Sequence, residues 1–256
     1  MKSCIIVFPL YKPPSKIELA FLENGVRLTK NFKQVIVAPE GLEISEAFGA
    51  LQKLEVKRFA QYYFENINGY NQLLLSKEFY FTFRLFDYLL IHQADVYLFK
   101  NELMLWCEKN YDYIGSPWFR PEKINQNALF RFLEKLKISL KYNKTYAKRH
   151  NKVGNGGLSL RKISAAIKIL ENVDENLLKK YTTSKNETYN EDIFWSLEAP
   201  KISIFNIPLW QEAIGFSVEF NPENAYNYLN GNLPFGCHAP LKHNPKFWKQ
   251  FIPEIE

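Results

Sequence analysis

Residues 87–101 read DYLLIHQADVYLFKN, and this stretch decides the fold. Its first part, residues 88–91, is short, apolar and bounded by polar residues, which predicts a buried strand rather than a helix. Asp95 follows between two apolar runs, where a carboxylate is costly to bury without a partner. Because ligands of α/β sheets bind at the carboxyl ends of the strands, Asp95 is a candidate metal or ligand residue. The alternative is an aspartate that caps a turn at the end of a strand.

The chain before this stretch alternates between strand and helix patterns. Apolar runs at 3–10, 34–38 and 56–59 predict strands, and the spacing of apolar residues over 16–30 predicts a helix. Residues 69–85 predict a helix in two pieces, broken near Ser76. We therefore predict an α/β fold with a mostly parallel central sheet flanked by helices. With 256 residues, no internal repeat and no low-complexity linker, residues 1–256 are expected to form a single domain.

Composition narrows the class of protein. Hydrophobic residues make up 46% of the chain and aromatic residues 16%, which is typical of a globular protein. The three cysteines, Cys4, Cys107 and Cys237, are far apart, so neither a disulfide framework nor a zinc ribbon is indicated, and a reducing cytoplasm fits. No segment reaches the ~20 apolar residues of a membrane helix.

Positive charge is concentrated in residues 120–152. This basic segment holds ten lysines and arginines and two glutamates, so its net charge of +8 exceeds the +6 of the whole chain. Its leucines recur at helical spacing, which predicts an amphipathic helical segment within the domain. Packing on the domain is the default expectation, and peripheral contact with an anionic membrane is the alternative. Charge this local argues against a nucleic-acid partner.

Three further motifs carry candidate chemistry. The sequence VGNGGLSLR (153–161) places glycines before an apolar strand, where they permit close approach of a ligand to the backbone. Glu191 and Asp192 open a helix after Asn190, so they are either first-turn acids that favour the helix dipole or catalytic carboxylates. His238 follows a Pro-Phe-Gly turn near the end of the chain. It is a candidate metal ligand only if a metal bound by Asp95 needs a second protein ligand.

In this order the motifs resemble glycosyltransferases of the GT-A fold, and more closely a family of largely uncharacterised bacterial and fungal glycosyltransferase-like domains. Six stretches carry the resemblance: YNQLLLSKEFY (70–80), DYLLIHQADVYLFKNEL (87–103), YDYIGSPW (111–118), VGNGGLSLRK (153–162), NEDIFW (190–195) and PFGCHA (234–239). The N-terminal third matches only in its general pattern of strands and helices.

The resemblance implies a site for Mn²⁺ or Mg²⁺. Asp95 matches the second aspartate of the Asp-x-Asp motif, and His238 matches a late histidine that completes the metal sphere in some members of the fold. Gln93 stands where the first aspartate would be, so one carboxylate is present instead of two. Metal affinity is then weaker, or Gln93 meets the donor ribose instead.

The resemblance also implies roles in catalysis and substrate binding. Asp192 matches the base that deprotonates the acceptor hydroxyl in inverting relatives, with Glu191 as the second choice. If configuration is retained, neither acid need be a base. The expected donor-binding residues are Pro9, Tyr11, Gln93, Asp95, Asn155, Gly156 and Gly157, and the candidate acceptor platforms are Trp118 and Trp195.

The resulting prediction is a metal-assisted glycosyltransferase in bacterial surface polysaccharide synthesis. A UDP-sugar is the expected donor, a glycan or lipid-linked glycan the expected acceptor, and the cytoplasm or the inner face of the membrane the expected location. The alternative is a carbohydrate- or nucleotide-binding domain that kept the fold and lost turnover, which the missing first aspartate favours. Slow hydrolysis of the donor with Mn²⁺ would distinguish the two.

Overall fold

The computed structural model describes residues 2–118, 149–184 and 189–255. Strands numbered in chain order within these residues are β1 (Cys4–Pro9), β2 (Lys33–Pro39), β3 (Glu55–Phe59), β4 (Tyr88–His92), β5 (Val96–Leu98), β6 (Tyr113–Ile114), β7 (Leu158–Lys162), β8 (Ser217–Val218) and β9 (Gly236–His238). Six of them form a central sheet in the order β3-β2-β1-β4-β7-β6, and β5-β9-β8 form a smaller sheet.

The strand directions of the central sheet bring several loops to one edge. β3, β2, β1 and β4 run parallel, whereas β7 runs antiparallel to both β4 and β6. The carboxyl ends of β1, β4 and β6 therefore lie at the same edge as the amino end of β7. That edge is where α/β sheets bind their ligands.

Helices cover both faces of the sheet. They are α1 (Lys16–Leu28), α2 (Ile67–Leu74), α3 (Lys77–Thr82), α4 (Leu103–Glu108), α5 (Ile163–Asn172), α6 (Glu175–Thr183), α7 (Glu191–Ile193), α8 (Ala199–Ile202), α9 (Trp210–Phe216), α10 (Pro222–Tyr228) and α11 (Pro245–Trp248). The segment Phe194–Glu198 between α7 and α8 is a π-helix, and Glu46–Lys53 and Gln61–Phe64 form 3₁₀ turns.

The core has a layer on each face of the sheet because strand side chains alternate between the faces. Ile5 and Val7 of β1 belong to the layer that includes residues of α2, α3 and α5. Ile6 and Phe8 of the same strand belong to the layer with α1, α4 and α9. β4 is buried along its whole length, as expected of a central parallel strand.

These elements confirm the predicted α/β class with a mostly parallel sheet. The predicted break near Ser76 is also confirmed, because the Ser76 hydroxyl accepts a hydrogen bond from the Phe79 amide at 3.1 Å and begins α3. The sequence ISIFNI (202–207) also predicts a strand, because apolar and mostly β-branched residues dominate it, and this prediction is wrong. Ile202 ends α8, and the extended chain after it lies outside both sheets.

Candidate active site

The edge described above gathers the polar residues that the sequence singled out. Gln93 and Asp95 follow β4, and Asn155–Gly157 precede β7. The Gln93 amide donates a hydrogen bond to the Gly157 carbonyl at 3.0 Å, which ties the two loops together. The sheet thus brings Gln93 and Gly157, which are 64 positions apart in the chain, to one point.

Asp95 and His238 meet through the smaller sheet. Val96 pairs with His238 in the antiparallel register of β5 and β9, and the Ala239 amide donates to the Asp95 carbonyl at 2.8 Å. The His238 Nε2 atom lies 3.2 Å from the Asp95 Oδ1 atom. The Asp95 side chain is 45% exposed and that of His238 is 14% exposed, so solvent reaches the pair from the aspartate side.

Glu219 lies on the other side of the His238 ring. It follows β8, which pairs in parallel with β9, and its Oε1 atom is 3.2 Å from His238 Nδ1. The Asn155 side-chain amide donates to Glu219 Oε2, and the Asn155 Oδ1 accepts from the Gly157 amide at 2.9 Å. Asn155 has φ of +73°, a conformation that asparagine tolerates better than most residues. No sequence motif had indicated Glu219.

Two carboxylates control the charge of His238. Burial opposes protonation, but the hydrogen bonds to Asp95 and Glu219 outweigh it and raise the pKa of His238 to about 10. Burial raises the pKa of Asp95, whereas its hydrogen bond with His238 lowers it. The net effect is a lowered pKa of Asp95. Without a metal, the chain therefore holds an imidazolium between two carboxylates.

The pair fits two adjacent ligands of a divalent cation. Two ligand atoms at ~2.1 Å and at right angles around a cation are ~3 Å apart, close to the observed Asp95–His238 distance. Glu219 takes the position of an outer carboxylate that orients a metal-binding histidine. Within residues 2–118, 149–184 and 189–255, no group of three or more His, Cys, Asp or Glu side chains is arranged to hold a metal. A bound cation would thus need further ligands from substrate or water.

A cavity of about 380 Å³ opens beside this pair. Its lining includes Pro9 at the end of β1, Tyr11, Tyr70, Gln93 and Asp95. Tyr11 is 59% exposed, so its ring face is available to a ligand. The Gln93 side-chain amide donates to the Tyr70 hydroxyl at 3.1 Å, which holds Gln93 at the cavity wall. The cavity size is within the range of small-molecule sites.

Glu191 and Asp192 are adjacent in the chain but have different surroundings. Both Glu191 oxygens lie 3.0 Å from the guanidinium of Arg161, in a pair whose side chains are 5% and 1% exposed. Arg161 also donates to the hydroxyls of Tyr80 and Ser159. Glu191 is therefore committed to a buried ion pair. Gly156 leaves room for it, because an added Cβ there would lie 2.0 Å from Glu191 Oε1.

Among the described residues, only one of the two carboxylate oxygens of Asp192 accepts a hydrogen bond. Its Oδ1 accepts from the Ile193 amide at 2.8 Å, and its side chain is half-buried. Burial, followed by the charges of Glu191 and Glu219, raises the pKa of Asp192 to about 7. A carboxylate with this pKa can accept a proton near neutral pH. This environment distinguishes Asp192 from its neighbour, which the sequence alone could not do.

The two candidate tryptophan platforms differ in exposure. Trp118 is half-buried and packs against Gly154, where an added Cβ would lie 1.9 Å from the indole ring. Trp195 is 1% exposed and packs among Tyr80 and Phe205. The prediction of Trp195 as an acceptor platform is therefore corrected: it is a core residue, because the π-helix Phe194–Glu198 packs its ring against Tyr80 and Phe205.

Most of the basic segment 120–152 lies outside the described residues, and only 149–152 fall within them. Across the part of the chain that the structure describes, no helix is long and apolar enough to cross a membrane.

The model of the family described as "Protein of unknown function (DUF5672)" matches residues 53–238, well over half of the chain. No curated protein sequence matches the chain. Among solved structures, the chain is similar to a glycosyltransferase involved in the glycosylation of the major capsid of PBCV-1. The TM-score is 0.51 at 10% identity, over 92% of this chain and 93% of the viral one. This likeness shows a glycosyltransferase fold of the GT-A type.

Two other solved structures are more distant. The mannosyltransferase Ktr4p from S. cerevisiae, in complex with GDP, matches with a TM-score of 0.45 at 10% identity, over 83% of this chain and 68% of that one. Glucosyl-3-phosphoglycerate synthase from Mycobacterium tuberculosis, in complex with Mn²⁺, UDP-glucose and phosphoglyceric acid, matches with a TM-score of 0.34 at 8% identity. The overlap covers 64% of this chain and 57% of that one.

Proposed function

We propose that this chain, which belongs to the DUF5672 family, is a glycosyltransferase that moves a sugar from a nucleotide-sugar donor to a glycan acceptor with a divalent cation. The observation that carries the proposal is the Asp95–His238 pair. A carboxylate oxygen and an imidazole nitrogen lie 3.2 Å apart at the ligand-binding edge of a GT-A-type sheet. Asp95 lines a cavity of about 380 Å³, a volume within the range of small-molecule sites.

Asp95 and His238 would hold Mn²⁺ or Mg²⁺, with the donor diphosphate and water supplying the other ligands. A cation of this kind, when bound, stabilises the negative charge that builds on the departing nucleoside diphosphate. The Gln93 side-chain amide donates to the Tyr70 hydroxyl at 3.1 Å, and a neutral amide does not supply the charge of the missing first aspartate. We assign it to the donor ribose, with Pro9 and Tyr11 beside the base.

Asp192 is the proposed base that takes the proton from the acceptor hydroxyl. Its raised pKa supports this role, and the buried ion pair with Arg161 removes Glu191 from it. Transfer with a base of this kind inverts the configuration of the sugar. Asn155, Gly156 and Gly157 border the donor sugar, and Trp118 is the remaining acceptor platform.

From the sequence we further propose a UDP-sugar as the donor and a glycan or lipid-linked glycan as the acceptor. The proposed process is bacterial surface polysaccharide synthesis at the cytoplasmic side of the membrane. Peripheral membrane contact through residues 120–152 belongs to the same proposal.

The testing experiment is thermal unfolding with UDP, GDP and other nucleoside diphosphates, each with and without Mn²⁺. A ligand present at 100 times its dissociation constant stabilises the folded state by about 2.7 kcal/mol. We expect one nucleotide to raise the melting temperature only with Mn²⁺, and Asp95→Asn to abolish that shift. Glu108→Gln, an exposed acid on α4, is the matched control and should keep it. A shift that is equal with and without Mn²⁺ would refute the metal-dependent function.

Hydrolysis of the matching nucleotide sugar separates an enzyme from a binding domain. An enzyme of this class releases nucleoside diphosphate slowly to water when Mn²⁺ is present. Nucleotide binding without any such release would instead establish the binding domain.

A further inference from the structure

A second cavity, of about 560 Å³, shares none of its described lining residues with the proposed donor cavity. It is lined by residues of α6, of the π-helix Phe194–Glu198 and of α8, together with Lys152. Three lysines and one glutamate line it: Lys152, Lys180, Lys201 and Glu198. None of these residues has a part in the donor site described above.

Two lysines of this cavity have no charged partner among the residues that the structure describes. Glu198 is already engaged, because Lys201 donates to its Oε2 at 2.6 Å and the Tyr181 hydroxyl donates to its Oε1 at 3.1 Å. Among the described residues, neither Lys152 nor Lys180 forms an ion pair or a side-chain hydrogen bond. Within the described part of the chain, no carboxylate neutralises these two ammonium groups, and their positive charge favours an anionic ligand.

A buried hydroxyl adds an independent observation. Ser196 lines the cavity, is 6% exposed, and its Oγ has no hydrogen-bond partner in the part of the chain that the structure describes. Leaving a buried hydroxyl without a partner costs about 1–3 kcal/mol. Ser196 also lies within the π-helix, a rare irregularity that is frequent at functional sites. The Oγ atom itself is covered by protein in this rotamer, so its side chain would have to rotate before a ligand oxygen in the cavity could supply the missing partner.

The chain connects this cavity with the proposed base. Ser196 follows Asp192 by four residues along one helical segment, a rise of ~6 Å. The charge of Arg149 acts on both Asp192 and Tyr181, so Arg149 lies near the proposed base and near one residue that lines the cavity. The Lys152 carbonyl accepts from the Trp118 amide at 2.9 Å, which joins the cavity to the proposed acceptor platform. An acceptor with its hydroxyl at Asp192 would extend toward the lysines.

We propose that this cavity binds a phosphate group of the acceptor, held by Lys152 and Lys180 with the Ser196 hydroxyl. The identification of the ligand as the acceptor rests on the proposed glycosyltransferase function. The phosphate site itself does not depend on that function. A phosphate suits the site because its several oxygens can accept from two ammonium groups and a hydroxyl at once.

The test measures binding of inorganic phosphate, glucose 6-phosphate and glucose to the whole chain by isothermal titration calorimetry. We expect glucose 6-phosphate to bind more tightly than inorganic phosphate, and glucose to bind far more weakly than either. The double variant Lys152→Gln/Lys180→Gln should weaken glucose 6-phosphate binding by at least about tenfold. Lys168→Gln/Lys246→Gln removes the same charge from exposed positions elsewhere and should leave binding unchanged.

The variant Ser196→Ala tests the hydroxyl while both lysines stay in place. It should weaken phosphate binding by a smaller factor than the double variant Lys152→Gln/Lys180→Gln does. Equal losses in the two lysine pairs would overturn the proposal, since charge alone would then explain the binding. Equal binding of glucose and glucose 6-phosphate would overturn the phosphate assignment. Tighter binding of inorganic phosphate than of the sugar phosphate would overturn the acceptor assignment.

Nucleotide-dependent thermal shifts are recorded on the same samples. If no nucleotide binds while the cavity still selects glucose 6-phosphate, the proposed function fails and the phosphate site stands. If a nucleotide binds with Mn²⁺ and the cavity does not distinguish glucose 6-phosphate from glucose, the phosphate site fails and the proposed function stands.

Discussion

The Oε1 atom of Glu219 lies 3.2 Å from Nδ1 of His238, on the side of the ring opposite Asp95. This contact fixes the ring orientation and directs Nε2 toward the donor cavity. Outer carboxylates of this kind raise the affinity of a histidine for a metal, and their loss typically costs 10- to 100-fold. Glu219 is therefore a positioning residue for the proposed cation site.

Glu219→Gln should weaken Mn²⁺ binding by about 10- to 100-fold while the protein stays folded. The measurement is titration of Mn²⁺ by electron paramagnetic resonance, in which free Mn²⁺ is counted directly and no turnover is needed. Glu108→Gln serves as the control with the same chemical change. Wild-type affinity in Glu219→Gln would show that the glutamate only packs beside the histidine.

Gly157 provides a steric test of the same site. A Cβ added there would lie 2.2 Å from His238 Nε2, so Gly157→Ala must push the ring out of its place. We expect Mn²⁺-dependent nucleotide binding to fall at least tenfold and stability to fall by about 1–3 kcal/mol.

Gly41→Ala is the matched control, because the nearest atom to its added Cβ is a Gln61 side-chain oxygen at 3.8 Å. Both variants are compared by thermal unfolding with the nucleotide and Mn²⁺. If Gly157→Ala responds to Mn²⁺ as the wild type does, His238 is not needed for the cation.

Much of this arrangement could be predicted from local patterns. The buried strand at residues 88–91, the break at Ser76 and the glycines before β7 each depend on short-range sequence features. The pairing of Asp95 with His238 could not come from spacing, because it depends on the register of β5 with β9 across 143 residues of chain. A resemblance to known enzymes supplied it.

Other features were beyond local patterns for identifiable reasons. Glu219 lies in no motif, and its importance arises only because β8 runs beside β9. Arg161 lies in a buried strand, where the sequence gives no sign that Glu191, 30 residues later, neutralises it. At 202–207 the apolar residues favoured a strand, but the Asn206 amide bonds the side chain of Asp112 at 2.7 Å instead of a sheet partner. Tertiary contacts overrode the local preference there.

The buried pair of Arg161 and Glu191 predicts a large effect on stability. Arg161→Gln leaves the Glu191 charge buried without its partner, so the free energy of unfolding should fall by about 3–5 kcal/mol. Urea unfolding monitored by circular dichroism measures this change. The double variant Arg161→Gln/Glu191→Gln should recover part of the loss, because neither side chain is then charged.

Lys33→Gln is the comparison, since it breaks an ion pair whose side chains are 49% and 41% exposed. Its effect should stay below about 1 kcal/mol. Similar losses in Arg161→Gln and Lys33→Gln would contradict the structural role assigned to the buried pair, and would return Glu191 to the candidates for the catalytic base.

Asp192 predicts a pH dependence of turnover. Burial and the neighbouring charges of Glu191 and Glu219 raise its pKa to about 7, and only the ionised form can accept a proton. Release of nucleoside diphosphate should therefore rise about tenfold per pH unit below 7 and level off above it. Asp192→Asn should lower the plateau by about 10²- to 10⁴-fold and remove the slope.

Stability should change with pH in the opposite direction. The pKa of Asp192 is higher in the folded protein than in the unfolded chain. Between about pH 4 and 7 the Asp192 carboxyl is therefore protonated in the folded form and ionised in the unfolded form. The contribution of Asp192 to stability is lost as the pH rises through that window. Asp192→Asn removes this loss, so its melting temperature at pH 8 should exceed that of the wild type, whereas at pH 4 the two should agree. A variant that is inactive but no more stable at pH 8 would mean that Asp192 is not held in a desolvated site. An active variant that keeps the slope would assign the base to another group.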